Sequence, residues 1–581
     1  MGSLPRLSVT MGERRPVPTA PLPEHFSRLA TSKQTALLYD DEVTNNRVTY
    51  AELETRANAL ARAIAARGSV NGRNTDEDFV VAVCMQPTHG TVTTLLAIWK
   101  AGAAYVPMEP TFPQARISHI LKDAQPCLVV YDDTAKPKMF ADSGVPAVAY
   151  EALLLESSGY STQELEDREL LNPLESESIG IVLYTSGSTG VPKGVRLSHS
   201  AICNRLWWQF TTFPFSNDED ICVWKTALTF VDSVCEIWGP LLNGRALRIL
   251  SKETTRDPQR LVEELAENRI QRLVLVPTLL RSILLYLSLN PSEKLLKRLK
   301  LWVCSGETLN KDLAGQFFQY FGDNNGFKLA NFYGSTEVMG DVTYYVLESF
   351  DQLSLFPTIP IGSPLQNCAV YILDEEMNVV REGETGEIWV GGMNLANGYV
   401  GGQAPEKFMD NPHTAHPGTQ PTNSLYTNMG VPSSWLKEGK TFQYNVDKHK
   451  AIKHETISLG EEFNRLYRTG DFGLLQKGEI LYMGRLDSQV KIRGHRVDLQ
   501  EVESAVSNVP GVEKCVVLCY GADRGTPEIL AFVTLQDEAR LAGHHIEAAL
   551  KNSLTHYMIP QNYPDTENDS SNMAGKLMQF G

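Results

Sequence analysis

Apolar positions along the chain alternate between two spacings. VTYAELETRANALARAIAARG enters as a strand and continues with the recurrence of an amphipathic helix, with Gly68 as the candidate C-cap. DFVVAVCMQ is a short apolar, β-branched run, as a buried strand requires. GTVTTLLAIWKAGAAYVPMEP gives a helix closed by Gly102 and a strand ending at proline, and ISHILKDAQPCLVVYDD repeats the helix–strand order. RLVEELAENRIQRLVLVPTLLRSILLYL reads helix, buried strand, helix, and KRLKLWVCSGETL a strand running into a glycine turn. This alternation predicts an α/β fold with layered, mainly parallel sheets. From about residue 360 short strands and turns take over (PIGSPLQNCAVYILDEEMNVVREGETGEIWVGG), predicting a β-rich subdomain. Residues 413–464 fit neither spacing and are rich in Gly, Pro, Asn, His and Lys; so long a structureless loop predicts a disordered or spurious insert.

With 581 residues, 42% of them hydrophobic, the chain can bury a large core in more than one domain. A net charge of −16 argues against a nucleic-acid partner held on a basic surface. The nine cysteines, odd in number and without any CxxC, fit a reducing compartment without structural zinc. No apolar run reaches membrane-spanning length, and MGSLPRLSVTMGERR lacks an apolar signal core. The expectation is a soluble cytoplasmic protein with no membrane partner.

One stretch changes the picture. YTSGSTGVPKGV (184–195) lies between the apolar strand ESIGIVLY and a second strand, VRL, with Ser198 as candidate cap of the helix SAICNRLWWQF. Glycines let a backbone approach a ligand closely, and successive N–H groups with Ser and Thr hydroxyls form an anion nest. Lys193 adds the positive charge a polyphosphate needs. A Walker A loop needs Gly before the lysine and Ser or Thr after it; here Pro192 precedes Lys193 and Gly194 follows.

YTSGSTGVPKG resembles the phosphate-loop signature of adenylate-forming enzymes: adenylation domains of peptide synthetases, acyl-CoA ligases and luciferases. NFYGSTEV (331–338), GETGEIWVGG (383–392), YRTGD (467–471) and GRLDSQVKIRGHRVDLQEVE (484–503) follow in the family's order. The resemblance implies that Thr185, Ser186, Gly187, Ser188, Thr189, Gly190 and Lys193 hold the phosphates of ATP. It implies a nucleotide site completed by Gly306, Asn331, Tyr333, Gly334 and Ser335, with Tyr333 stacked on adenine and Asp471 bonded to ribose. Thr336 and Glu337 take catalytic roles, Glu337 as the Mg²⁺ ligand, and Arg485 reaches ATP oxygens. Asp487 becomes the hinge, and Lys491 with Gly494 belongs to a thioester-forming face. The implied domains are a large one over 1–483 and a small, incomplete α+β one over 484–581. The family's adenylate-contacting lysine has only a faint echo, Lys576, in the polar tail 561–581. The chain is therefore expected to be truncated after the adenylation region, without the carrier domain and its phosphopantetheine.

The implied substrate pocket comprises Val231, Asp232, Cys235, Val274, Val303, Ser305, Phe332, Gly340 and Asp341. In amino-acid-activating relatives an acid directly follows the Phe of this helix start. Here Val231 follows Phe230 and the acid comes one residue later, at Asp232. Asp232 and Asp341 are read as a carboxylate pair for an ammonium group, and the displaced acid suits a β-amino acid. The motifs together resemble the insect β-alanyl-amine synthases. They imply ATP-dependent activation of a small amino acid, β-alanine, for thioester loading on a carrier and amide formation with a biogenic amine. Two alternatives stand: an acyl-CoA ligase, which needs an apolar tunnel rather than two acids, and a catalytically impaired nucleotide-binding fragment.

Overall fold

The computed structural model describes residues 7–40, 45–186, 191–290, 295–323, 325–413, 463–485, 487–521, 527–536 and 541–560. The apolar run Val80–Cys84 lies inside a seven-stranded sheet of order 398–399, 193–198, 179–185, 104–107, 80–84, 128–131 and 147–149. Its neighbours Ala104–Pro107 and Leu128–Tyr131 run parallel to it, and every residue of the run is buried. That is why the sequence shows no polar alternation there: both faces are covered. Val81 and Val83 point into one core with helices Tyr50–Gly68 and His89–Lys100, while Val80 and Ala82 point into another with helix Gln114–Ala124.

A second sheet runs 272–275, 301–304, 328–333, 343–347 and 363–364, its first three strands parallel and its last pairings antiparallel. Beyond it, Cys368–Leu373, Gly386–Gly392, Arg465–Gln476 and Glu479–Arg485 pair antiparallel in sequence order. The mixed α/β architecture and the β-rich region are thus as expected. Residues from Ile492 to Met558 form a separate apolar core. Among the described residues no helix is long and apolar enough to cross a membrane.

Three boundaries differ from the sequence reading. Gly102 provides the expected left-handed stop at φ +75°, but Gly68 does not. It is the last helical residue, followed by Ser69 in right-handed geometry. Glycine is explained there by packing: a Cβ would lie 3.1 Å from Cys127 Sγ and from Leu171. The division between 483 and 484 falls inside a strand, since Gly484 and Arg485 pair with Phe472 and Asp471. Finally, the ends of the expected insert belong to the fold. His413 donates its N–H to Asn411 Oδ1 at 2.9 Å, and Phe463 is fully buried with Trp389 and Leu466. Asn411 bridges the two ends, its N–H reaching Asn464 O at 2.8 Å and its side-chain amide Phe463 O at 2.9 Å. Residues 414–462 and 561–581, Lys576 included, lie outside the described residues.

Because Asn411 already joins the two ends, replacing 414–462 with a short Gly/Ser linker should leave the melting temperature essentially unchanged. Phe463→Ala, by opening a cavity, should lower stability by about 3–5 kcal/mol. Scanning calorimetry checks both, and a large loss on replacement would show that the segment packs.

Candidate active site

Strands Ile179–Thr185, Leu301–Cys304 and Lys328–Tyr333 deliver their carboxyl ends to one cavity, where α/β folds place their ligands. Thr185 and Ser186 line it from the first strand end, Ser305 and Gly306 from the second, and Gly334, Ser335 and Thr336 from the third. The start of helix Asp232–Leu241 contributes Val231 and Asp232. The hairpin Gln489–Ile492/His495–Asp498 closes the cavity with Lys491, Gly494, His495 and Arg496. Gly494 makes that approach possible: its φ is +80°, and a Cβ would lie 2.6 Å from Val276 Cγ1. A Cβ on Gly306 would in turn lie 3.6 Å from Gly494 Cα, so the two glycines face each other. His495 stacks on Tyr557 with ring centroids 3.5 Å apart and meets Phe230 edge-on at 4.5 Å.

The phosphate-type loop joins two antiparallel strands as expected, with Thr185 opposite Lys193, and Ser198 caps the following helix through Ala201 N–H. Gly187, Ser188, Thr189 and Gly190 lie outside the described residues. Lys193 is half-buried, its Nζ 5.7 Å from the centre of the Tyr399 ring. Residues named from separate motifs meet in one chain of bonds. Tyr333 donates its O–H to Asp471 Oδ2 at 2.6 Å, Arg485 Nη1 donates to Asp471 Oδ1 at 2.7 Å, and Arg485 Nη2 donates to Asp487 at 2.6 Å. Tyr333 and Asn331 are buried beside the cavity rather than lining it, Asn331 donating to Pro360 O at 2.8 Å.

Glu337 is 1% exposed and accepts from Tyr399 O–H at 2.8 Å and from Arg496 Nη1 at 2.8 and 3.1 Å. Burial alone would raise its pKa, but the Arg496 guanidinium and neighbouring donors outweigh it and hold the carboxyl at about 2. A carboxylate is a hard-oxygen ligand of the kind that suits magnesium, and Thr185 and Thr336 place hydroxyl-bearing residues in the adjoining cavity wall. In this arrangement Arg496 supplies the counter-charge instead. Sequence reasoning missed Arg496, although it is the cross-strand partner of Lys491.

The substrate side requires a correction. Asp232 begins its helix without a capping bond, and its half-buried carboxylate faces the cavity with no hydrogen-bond partner among the described residues. Burial, then the charges of Asp341 and Glu236, push its pKa up. Asp341 does not stand beside it as a second open acid. It is 2% exposed, its Oδ2 taken by Arg205 Nη2 at 2.6 Å and its Oδ1 by Ser305 Oγ at 2.9 Å. Helix His199–Thr212 carries Arg205 inward to that position, so the expected pair is one free acid and one already neutralised. Val231, Ser305 and Gly340 line the cavity, whereas Cys235, Val303 and Phe332 are packed in the core and Val274 lies against it.

The AMP-binding enzyme profile matches residues 27–400. The chain belongs to the AMP-binding enzyme family. It is 46% identical over 576 residues to the beta-alanyl-bioamine nonribosomal peptide synthetase ebony of Drosophila melanogaster, covering 97% of this chain. It spans 60% of that protein's length, and 7% of tyrocidine synthase 3 of Brevibacillus parabrevis, to which it is 29% identical over 94% of its own length. Among solved structures, NpsA-ThdA, an artificially fused adenylation–PCP di-domain from Klebsiella oxytoca, is similar with a TM-score of 0.72 at 21% identity, covering 94% of this chain and 87% of that one. The o-succinylbenzoate CoA synthetase of Bacillus subtilis is similar at 0.70 and 17%, covering 94% and 95%. Both likenesses concern the fold. The family and enzyme class implied by YTSGSTGVPKG, an AMP-binding, adenylate-forming ligase, are those the comparisons give.

Removing the Arg496 guanidinium leaves Glu337 a buried, unpaired charge, a loss of about 3–5 kcal/mol. Arg496→Ala should therefore melt earlier than the wild type. Added magnesium chloride should recover part of that loss while changing the wild type little, as read by scanning calorimetry. An equal response of both proteins would show that Arg496 and a divalent cation do not compete for Glu337.

Proposed function

We propose that this chain activates β-alanine with ATP as an acyl-adenylate. The observation that carries the reading is Asp232. It is the one carboxylate in the described cavity wall, it has no hydrogen-bond partner among the described residues, and it stands one residue beyond Val231, where amino-acid-activating relatives carry theirs. β-Alanine holds its ammonium one carbon further from its carboxylate than alanine does, so with the carboxylate fixed the ammonium needs a displaced acid. The name of the Drosophila relative, a beta-alanyl-bioamine nonribosomal peptide synthetase, supports the same substrate.

In this reading the substrate carboxylate oxygen attacks the α-phosphorus of ATP, the bond from that phosphorus to pyrophosphate breaks, and acyl-adenylate forms. The protein contributes positioning and charge neutralisation rather than a covalent step. Lys193 with the hydroxyls of Thr185 and Ser186 meets the phosphates, and Tyr333 meets the adenine. Asp471 exchanges its bond from Tyr333 for the ribose hydroxyls. Glu337, released from Arg496, would hold magnesium, which when bound neutralises the polyphosphate. Asp232 anchors the ammonium so that the carboxylate points inward. The hairpin residues Lys491 and Gly494 would face an arriving carrier domain, whose phosphopantetheine would supply the thiol that accepts the acyl group and releases AMP. Amide formation with a biogenic amine would be the use of the activated acyl group.

Pyrophosphate exchange should favour β-alanine over alanine and over propionate, which has no amine; equal exchange with all three would overturn the substrate reading. Losing a charged hydrogen bond is worth about 1.5–3 kcal/mol. Asp232→Ala should accordingly cut β-alanine exchange by about 10-fold or more with ATP affinity intact. Lys193→Ala and Asp471→Ala should each weaken ATP binding in calorimetry. Because Asp232 titrates above the ordinary carboxylate range, its charged form is lost on acidification earlier than for an exposed Asp. KM for β-alanine should rise as pH falls towards that raised pKa, and Asp232→Asn should flatten the profile.

A further inference from the structure

We propose that Arg205 sets the net charge of the substrate pocket and so restricts it to amino acids carrying a single ammonium. The proposal deepens the reading above and rests on it. Arg205 is 2% exposed and lies over the rings of Trp208 and Phe332, at 4.8 and 5.5 Å from their centres. Its Nη1 donates to Gln209 Oε1 at 3.1 Å and its Nη2 to Asp341 at 2.6 Å. A cation this deeply buried is held by the acid it faces, and it neutralises that acid in return.

Three acids surround this end of the cavity, Asp232, Glu236 and Asp341, against two cations, Arg205 and Lys225. Glu236 is satisfied by Lys225 at 3.0 Å and by the backbone N–H groups of Lys225 and Thr226 at 3.0 and 2.8 Å. Arg205 satisfies Asp341. Asp232 alone of the three is left without a hydrogen-bonded cation among the described residues. Lys491, Arg116 and Arg496 also line the cavity, and the charges of Asp471 and Asp232 both act on Lys491. A substrate with one ammonium gives Asp232 its missing hydrogen-bonded partner, whereas one with none leaves it unpaired in a poorly solvated site. Without Arg205, Asp341 would become a second uncompensated acid, one hydrogen bond behind Ser305, which lines the cavity. At so short a range inside the protein its charge would be weakly screened.

Pyrophosphate exchange by the full chain at pH 7 tests this with propionate, β-alanine, 4-aminobutyrate and 2,4-diaminobutyrate, the last two having equal length but one and two ammonium groups. Arg205→Met should raise the preference for 2,4-diaminobutyrate over 4-aminobutyrate by about 10-fold, the scale of one charged contact, with KM for ATP unchanged. Arg205→Lys, which keeps the charge, should stay near the wild-type ratio. The neutral exchange Arg205→Met with Asp341→Leu should restore it. An unmoved ratio in Arg205→Met, or a double variant as altered as the single one, overturns the assignment. Should Arg205→Met fail to fold, the double variant decides, since it keeps the wild-type net charge and must keep the wild-type ratio. Wild-type protein that uses all four acids equally overturns the β-alanine reading itself; a discriminating wild type whose ratio ignores Arg205 overturns only the role of Arg205.

Discussion

A carboxylate withdrawn from water must keep a cation close, and at Glu337 that requirement ties three distant segments together. Glu337 sits in the turn after strand Lys328–Tyr333, Tyr399 comes from the short strand beside Lys193–Ser198, and Arg496 comes from the hairpin beyond residue 487. The backbone joins in, Ala396 N–H donating to Glu337 O at 2.9 Å. Where this single charge finds its partner decides how the hairpin lies over the strand ends, and hence which side chains face the cavity. The contact of Gly494 with Val276 and the edge-on meeting of His495 with Phe230 follow from that docking.

Much of the fold was legible because burial writes itself plainly into parallel strands. A strand covered on both faces has no reason to alternate, and Val80–Cys84 does not. Boundaries were harder. The stretch YMGR gives no periodic sign that its strand continues through Arg485, since the contacts that keep it there are backbone pairings with Phe472 and Asp471. Phe463 lies in the polar context LGEEFN, and only its burial with Trp389 and Leu466 reveals it as core.

The site divides in the same way. Residues carried by contiguous motifs were found: Thr185, Ser186, Thr336 and Asp232 all reach the cavity wall. Arg205 was not, because in SAICNRLWWQF an arginine among aromatics reads as one polar position of an amphipathic helix. Its partner lies 136 residues away, and a charge pair across that separation leaves no periodic trace. The same ignorance made Asp341 look like an open acid in GDVTYY. A buried ion pair is a property of the fold, and neither half announces the other.

The clasp at Asn411 has a consequence of a different kind. With one residue bonded both to Asn464 and to Phe463, the fold fixes where the chain leaves and re-enters but not the length of chain between those points. Closing a flexible loop grows more costly only logarithmically, by about 0.6 kcal/mol for each doubling. A flexible connection between those two points would therefore cost the core little more when lengthened. Such a place is an insertion port: an experimenter fusing a reporter domain would open the chain between Asn411 and Phe463, where the clasp holds both ends.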